Sequence, residues 1–344
     1  MPPTPDTTSH TGTEIAEERP RGPRRRTGFL GLLQRHMILM LILVLVGIFS
    51  GLAPATFPTF QNLQGIALGQ AVSALLALAV LLVVVVGEFD LSVGYILGFC
   101  AVLAAKLAGE YALPGLVAIL LALLAGGLFG LLSGVLTARL KVNSLIATLG
   151  VGLAVSGLSV GVSGGQTLSS NIPDVVKDLA RTRVLGIGGA VWVVIIVAVV
   201  LYVVLTRTPL GRKLYATGGS ETVARMVGMR TTLLKVSVFA TAGIIAALAG
   251  ILQLGLSGAA NPSYGSNLLL PAFAAVFLGS TTVRPGFFNV WGTVLAITLL
   301  AVGFSGLSLL GTPFWAEPVF DGLALIIGVL LSRWNVRAAR GRAK

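Results

Sequence analysis

The 344-residue chain is short of the residues from which most active sites are built. It has one cysteine and two histidines, His10 and His36, so a metal cluster, a nucleophile dyad or an intrachain disulfide has no material to form from. Cys100 lies inside an apolar run and reads as a small core residue. Charged side chains make up 10% of the chain and aromatics 7%, against 55% apolar residues. That balance cannot cover a water-soluble globule with charge, and it places the chain in a bilayer. No Gly-x4-Gly-Lys-Ser/Thr loop is present, so nucleotide phosphates are not cradled by that route.

The net charge of +12 comes from Lys and Arg that fall between apolar runs rather than beside aromatics. This is the pattern of cytoplasmic retention during membrane insertion, not of a nucleic-acid face. The expected partners are therefore lipid and cytosolic protein. Met1 to Thr27, rich in Pro, Thr, Glu and Arg, is expected to be a disordered cytosolic tail. Arg24, Arg25 and Arg26 could open a signal peptide, but the nearest cleavage site, Ala53-Pro54-Ala55, is a poor match, and an uncleaved first span is the better reading. The expected organisation is a disordered basic cytoplasmic tail (1–36), a polytopic all-α membrane domain (37–333) and a second basic cytoplasmic tail (334–344).

Apolar runs of spanning length predict ten transmembrane helices: Met37–Phe57, Ile66–Val86, Leu91–Ala108, Pro114–Ala138, Ser144–Val162, Gly188–Leu205, Leu233–Leu256, Asn267–Val283, Phe287–Leu309 and Pro318–Arg333. With both termini inside, all of the 24 Lys and Arg residues except Lys106, Lys177, Arg181 and Arg183 fall on the cytoplasmic side. Two connections are too long for turns. Ser163–Ile187, outside, has the charge pattern of a short surface helix. Thr206–Thr232, inside, has Pro209 and Gly211 to break the preceding helix, and Glu221–Met229 can form a short amphipathic helix along the membrane. Glycines at four-residue spacing, Gly126/Gly130/Gly134 and Gly157/Gly161/Gly165, are expected to be helix-packing seams.

The most informative acidic stretch is Gly87-Glu88-Phe89-Asp90-Leu91-Ser92-Val93-Gly94. A carboxylate at membrane depth is costly and usually functional. Asp90 is also placed to cap the next helix by accepting the backbone N–H of Ser92 or Val93. Capping is the first reading, and direct substrate contact stands beside it. Polar residues within spans, Asn143, Ser144, Thr148, Gln253, Asn261 and Asn267, are candidates for an uncharged, hydrogen-bonding passage; each alone is equally served by an interhelical hydrogen bond.

Glu88–Gly94 resembles the Gly-Gly-Ile-Asp-Leu-Ser-Val-Gly peptide of the permease subunits of ribose/xylose-type sugar ATP-binding-cassette importers, within the branched-chain amino acid/sugar permease superfamily. Other matches follow in order. Asn143–Gly150 is similar to that family's Pro-Phe-Ile-Ala-Thr-Leu-Gly peptide. Thr208–Arg212, Ala216-Thr217-Gly218-Gly219-Ser220 and Ala224–Met229 follow its cytoplasmic coupling segment, and Ala274–Ser280 with Gly292-Thr293 match its C-terminal half. The departures are Glu88 for a common Gly, Ser220 for Asn, Val223 for Ala, and Asn143-Ser144 for a proline-containing start.

The resemblance implies a homodimeric or heterodimeric permease in a bacterial inner membrane, worked by two cytosolic ATPase subunits and fed by an extracytoplasmic sugar-binding protein. It has no catalytic residues and no cofactor of its own; ATP is used by the partner subunit. Coupling is assigned by resemblance to Thr208, Pro209, Gly211, Arg212, Ala216, Gly218, Gly219, Ala224 and Gly228, and the family motif to Asp90, Ser92 and Gly94. Substituting Gly211 or Gly228 is expected to leave folding intact and uncouple transport. Val162-Ser163-Gly164-Gly165-Gln166 looks like the signature peptide of the ATPases, but stands at an outer helix end with no companion motif and is read as coincidence. The rivals are an ion-gradient-driven transporter using Glu88 or Asp90, an ATP-driven permease for amino acids or another non-sugar solute, and a non-transporting scaffold.

Overall fold

The structure, a computed structural model, describes residues 29–313 and 315–340, with side chains from 36 to 331. The tail expected over Met1–Thr27 lies outside the described residues, as does the end of the second tail, residues 341–344. The chain folds into α1 (Phe29–Leu52), α2 (Phe60–Gly69), α3 (Ala71–Val85), α4 (Ser92–Gly109), α5 (Gly115–Gly134) ending in a π-turn over Val135–Arg139, and α6 (Ser144–Ser163). There follow α7 (Asp174–Arg181), a two-stranded hairpin of β1 (Arg183–Val184) and β2 (Ile187–Gly188), α8 (Gly189–Arg207), α9 (Pro209–Gly219), α10 (Glu221–Met226) and α11 (Thr231–Ser257). A 3-10 turn at Gly265–Leu268 leads into α12 (Leu269–Gly279), and α13 (Val290–Leu309) and α14 (Ala316–Arg340) complete the chain.

Among the described residues, six helices are long and apolar enough to cross a membrane: α4, α5 with its π-turn, α6, α8, α11 and α13. The pair α2 and α3, bent by 42° at Gln70, makes a seventh. The ten expected spans all coincide with helical stretches, but ten full-length crossings are not found. The eighth is the clearest case: after α11 the chain runs without regular structure from Gly258 to Tyr264 and only then forms the 11-residue α12.

Helix α3 is apolar all round and every one of its residues is buried, as such a helix must be. It packs against α11, which also lies along α4 and α5. The periphery is the inverse: Leu116, Leu120 and Leu124 of α5, Ile146 and Leu153 of α6 and Ile196 and Val200 of α8 are exposed. Leucine stripes of that extent are at ease in lipid, not in water.

The first glycine stripe is a seam. A Cβ on Gly126 would meet Gly243 O and Ala247, one on Gly130 would meet Phe239 O, and one on Gly134 would meet Val236 and Phe239, so α5 and α11 touch backbone to backbone. The second stripe is corrected by the structure. A Cβ on Gly157 or Gly161 would meet nothing within 4 Å, and Gly165 has only Val160 of its own helix nearby. In α6 the packed glycine is Gly152, against Tyr95.

Candidate functional site

One end of the bundle gathers the α3–α4 elbow, the π-turn, α9, α10 and the start of α11. The elbow turns at Gly87, whose φ of +82° suits glycine. Asp90 is fully buried, and its Oδ1 accepts hydrogen bonds from Ser92 N at 2.8 Å and Ser92 Oγ at 2.5 Å. Asp90 thus bonds the first residue of α4 from two positions upstream, while Leu91 holds the N-cap position itself without a side-chain cap bond. Ser92 Oγ lies 3.1 Å from Ser133 Oγ, which ties that first residue to α5. Gly94 lets α4 approach the carbonyl of Gly265 at the foot of the broken span.

Two expected passage residues belong to this elbow instead. Ser144 Oγ accepts from Phe89 N at 3.3 Å and Thr148 Oγ1 accepts from Leu91 N at 3.0 Å. A buried backbone N–H without a partner is costly, so α6 supplies the acceptors that the elbow's own backbone cannot. Asn143 caps α6, its Oδ1 accepting from Leu145 N at 3.0 Å. Phe89 packs its ring against Phe273 and Phe277 of α12.

The segment expected to couple, 208–229, is two helices, not a loop and one helix. Thr208 ends α8 and caps α9, its Oγ1 accepting from Gly211 N at 3.3 Å, with Pro209 in the first turn. Pro is suited to that position because its missing N–H would have had no helical partner. Proline thus starts a helix here rather than only breaking one. Ser220 caps α10 and Ala224 is buried beneath it. Gly211 is packed: a Cβ there would meet the carbonyls of Leu205 and Val204, so the expectation that it can be changed without harm to folding is corrected. A Cβ on Gly218 would meet Val85 O as closely as one on Gly211 meets Leu205 O, with Gly87 N next, so α9 presses onto the elbow. Gly219 and Gly228 have open space, with Gly228 at φ +81°. Arg212, Ala216, Val223, Met226 and Val227 are exposed on the outer side of the pair.

An ion-pair network joins these parts, and sequence reasoning missed it: Glu221–Arg225 is a local i,i+4 pair, but Glu88 and Lys141 lie 147 and 80 residues from their partners. Lys235, 5% exposed, bonds Glu88 Oε1 at 2.6 Å and Glu221 Oε2 at 2.5 Å. Glu221 also pairs with Lys141 at 3.1 Å and with Arg225. The Lys235 hydrogen bond is the main cause that pulls the Glu221 carboxyl down to about 2 from its usual 4.5.

At the other end are two openings. Gln253 and Asn261 share a cavity of about 260 Å³ with Leu97, Gly98, Ser257 and Tyr264, beside the broken span. Asn267 is exposed and does not line it. A cleft of about 420 Å³ that the sequence did not suggest lies between α2, α13 and α14, lined by Asn62, Gln70, Ser305, Ser308 and Glu317.

A polytopic helical bundle with two openings at one end and short helices at the basic other end fits a membrane transport permease. The family described as branched-chain amino acid transport system / permease component matches residues 62–330, and the chain belongs to it. The chain is 32% identical over 302 residues to the ribose import permease protein RbsC of Escherichia coli strain K12, covering 87% of this chain and 94% of that one. It is 32% identical over 311 residues to RbsC of Bacillus subtilis strain 168, covering 90% and 96%. It is 33% identical over 309 residues to the autoinducer 2 import system permease protein LsrC of Escherichia coli strain K12 / DH10B, covering 90% and 89%. No solved structure matches the chain.

Proposed function

We propose that the chain is the membrane-spanning subunit of an ATP-driven importer that passes a small sugar, a pentose such as ribose or xylose or a related monosaccharide, into the cell. The observation that carries this is the α9–α10 pair. It is pressed against the α3–α4 elbow on one side and presents exposed Val223, Met226 and Val227 on the other. Apolar side chains of that exposure beside Arg212 and Arg225 form a docking face for a cytosolic protein. The partners of this reading are two ATPase subunits, an extracytoplasmic sugar-binding protein and a second permease copy or homologue. This chain binds no cofactor and performs no catalysis.

Sidedness follows from charge. Arg139, Lys141, Arg207, Arg212, Lys213, Arg225, Arg230 and Lys235 collect at the α10 end, which we place in the cytoplasm of a bacterial inner membrane together with both termini. The basic ends, 1–36 and 334–344, then flank one membrane domain. Both openings then face outward and receive solute. The cleft between α2, α13 and α14 offers amide and hydroxyl groups from Asn62, Gln70, Ser305 and Ser308, which suit hydroxyl-rich solutes held weakly enough to be released, whereas the Gln253–Asn261 cavity is mainly apolar. A second reading, a non-sugar solute, takes its support only from the family's description, and the ribose and autoinducer 2 import permeases among the relatives do not favour it.

The test is a mild-detergent pull-down of the tagged chain followed by uptake in proteoliposomes. Recovery of a Walker-containing ATPase and ATP-dependent, uncoupler-insensitive uptake of labelled ribose or xylose supports the reading. ATP-dependent uptake of amino acids alone favours the second. A chain that comes out alone and transports on an ion gradient overturns both.

A further inference from the structure

We propose that Lys235, clamped between Glu88 and Glu221, is the positioning residue through which displacement of α10 reaches the α3–α4 elbow. This rests on the reading of α9–α10 as the ATPase docking segment. Glu221 is the first residue of α10, Glu88 stands in the elbow, and Lys235 lies in the first turns of α11. The consecutive helices α10 and α11 and the sequence-remote elbow are thus joined through one ammonium group that is 5% exposed. A buried cation cannot leave its carboxylates without an uncompensated charge, so Lys235 must travel with them or hold them in place.

The two carboxylates are not equivalent. Glu221 is also neutralised from the water side by Lys141 and Arg225, both about half exposed. Among the described residues, Lys235 is the only ion-pair partner of Glu88. A shift of α10 that draws Lys235 toward Glu221 therefore acts on Glu88, whose charge has no second cation to turn to.

Glu88 is a lever with three arms. Its neighbour Phe89 bonds Ser144 of α6 and packs on Phe273 and Phe277 of α12. Two residues on, Asp90 bonds the first residue of α4. Helix α4 carries Leu97 and Gly98 into the wall of the Gln253–Asn261 cavity. The contact of Gly218 with Val85 and Gly87 gives α9 a grip on the same elbow, so both docking helices bear on it.

A purely structural ion pair and a relay respond differently to neutral replacement. The double variant Glu88→Gln/Lys235→Met removes both charges together and leaves no orphan, and Glu221 keeps Lys141 and Arg225. In the reconstituted complex with its ATPase and binding protein, that variant is expected to keep wild-type melting temperature, assembly and basal ATP hydrolysis. Uptake per ATP is expected to fall at least tenfold. Glu88→Gln alone, which leaves Lys235 with Glu221, is expected to show the same uncoupling and guards against a folding defect in the double variant. Lys235→Arg is expected to retain coupling. Wild-type uptake per ATP in either the double variant or Glu88→Gln overturns the relay. Failure of the wild-type chain to recruit any ATPase overturns the underlying reading instead.

Discussion

At the scale of single residues, the elbow shows how a polar side chain inside a membrane protein can serve the backbone rather than a solute. Thr148 accepts from Leu91 N and itself donates to Ser144 O at 2.7 Å. Thr148→Val, nearly isosteric, is expected to leave Leu91 N–H unpaired and to cost about 1–3 kcal/mol of stability. Thermal unfolding of the detergent-solubilised protein measures that loss; unchanged melting with an altered uptake KM would return Thr148 to the passage. Glu221 gives a pH test. Its folded pKa, about 2, lies below the usual 4.5, so its contribution is fully present above about pH 4.5 and is lost as pH falls toward 2. The melting difference between wild type and Glu221→Gln should be constant from pH 7 to 5 and shrink below that. A difference that grew on acidification would contradict the pairing.

At the scale of elements, the two glycine stripes have the same spacing and different fates. The α5 stripe meets the backbone of α11, whereas Gly157 and Gly161 of α6 meet nothing. Gly130→Ala is therefore expected to destabilise by about 1–3 kcal/mol, the usual cost of overpacking. Gly161→Ala should be neutral or slightly stabilising, since alanine is the better helix former by about 1 kcal/mol. Parallel melting curves of the two variants check this, and equal losses would show that α6 is packed in the assembled protein. The 208–229 segment carries a similar lesson. Pro209 and Gly211 read in the sequence as helix breakers, yet Pro209 opens α9, and the carbonyls of Leu205 and Val204 make Gly211 a packing contact.

At the scale of the molecule, the sole cysteine makes topology directly measurable. Cys100 is buried, its Sγ donating to Ala122 O at 3.3 Å, so the native chain should be inert to a membrane-impermeant maleimide. Thr222→Cys in α10 should label only from the cytoplasmic side, and Ser170→Cys, ahead of α7, only from outside. Labelling of both from one side would overturn this sidedness and the crossing by α8.

The sequence by itself determined the apolar, membrane-spanning character, the positions of the helical stretches, the asymmetry of basic charge and the local bond between Asp90 and Ser92, because each depends on composition or on residues a few positions apart. The family was equally legible, through short peptides in a fixed order. Only the tertiary structure decided that Ser144 and Thr148 serve the elbow, that one glycine stripe packs and the other does not, and that Gln253 and Asn261 share a cavity which Asn267 does not line. It alone brought Glu88, Glu221 and Lys235 together. The reason is physical: a partner 147 residues away leaves no local pattern, and only the packing of α3, α10 and α11 sets which charges meet.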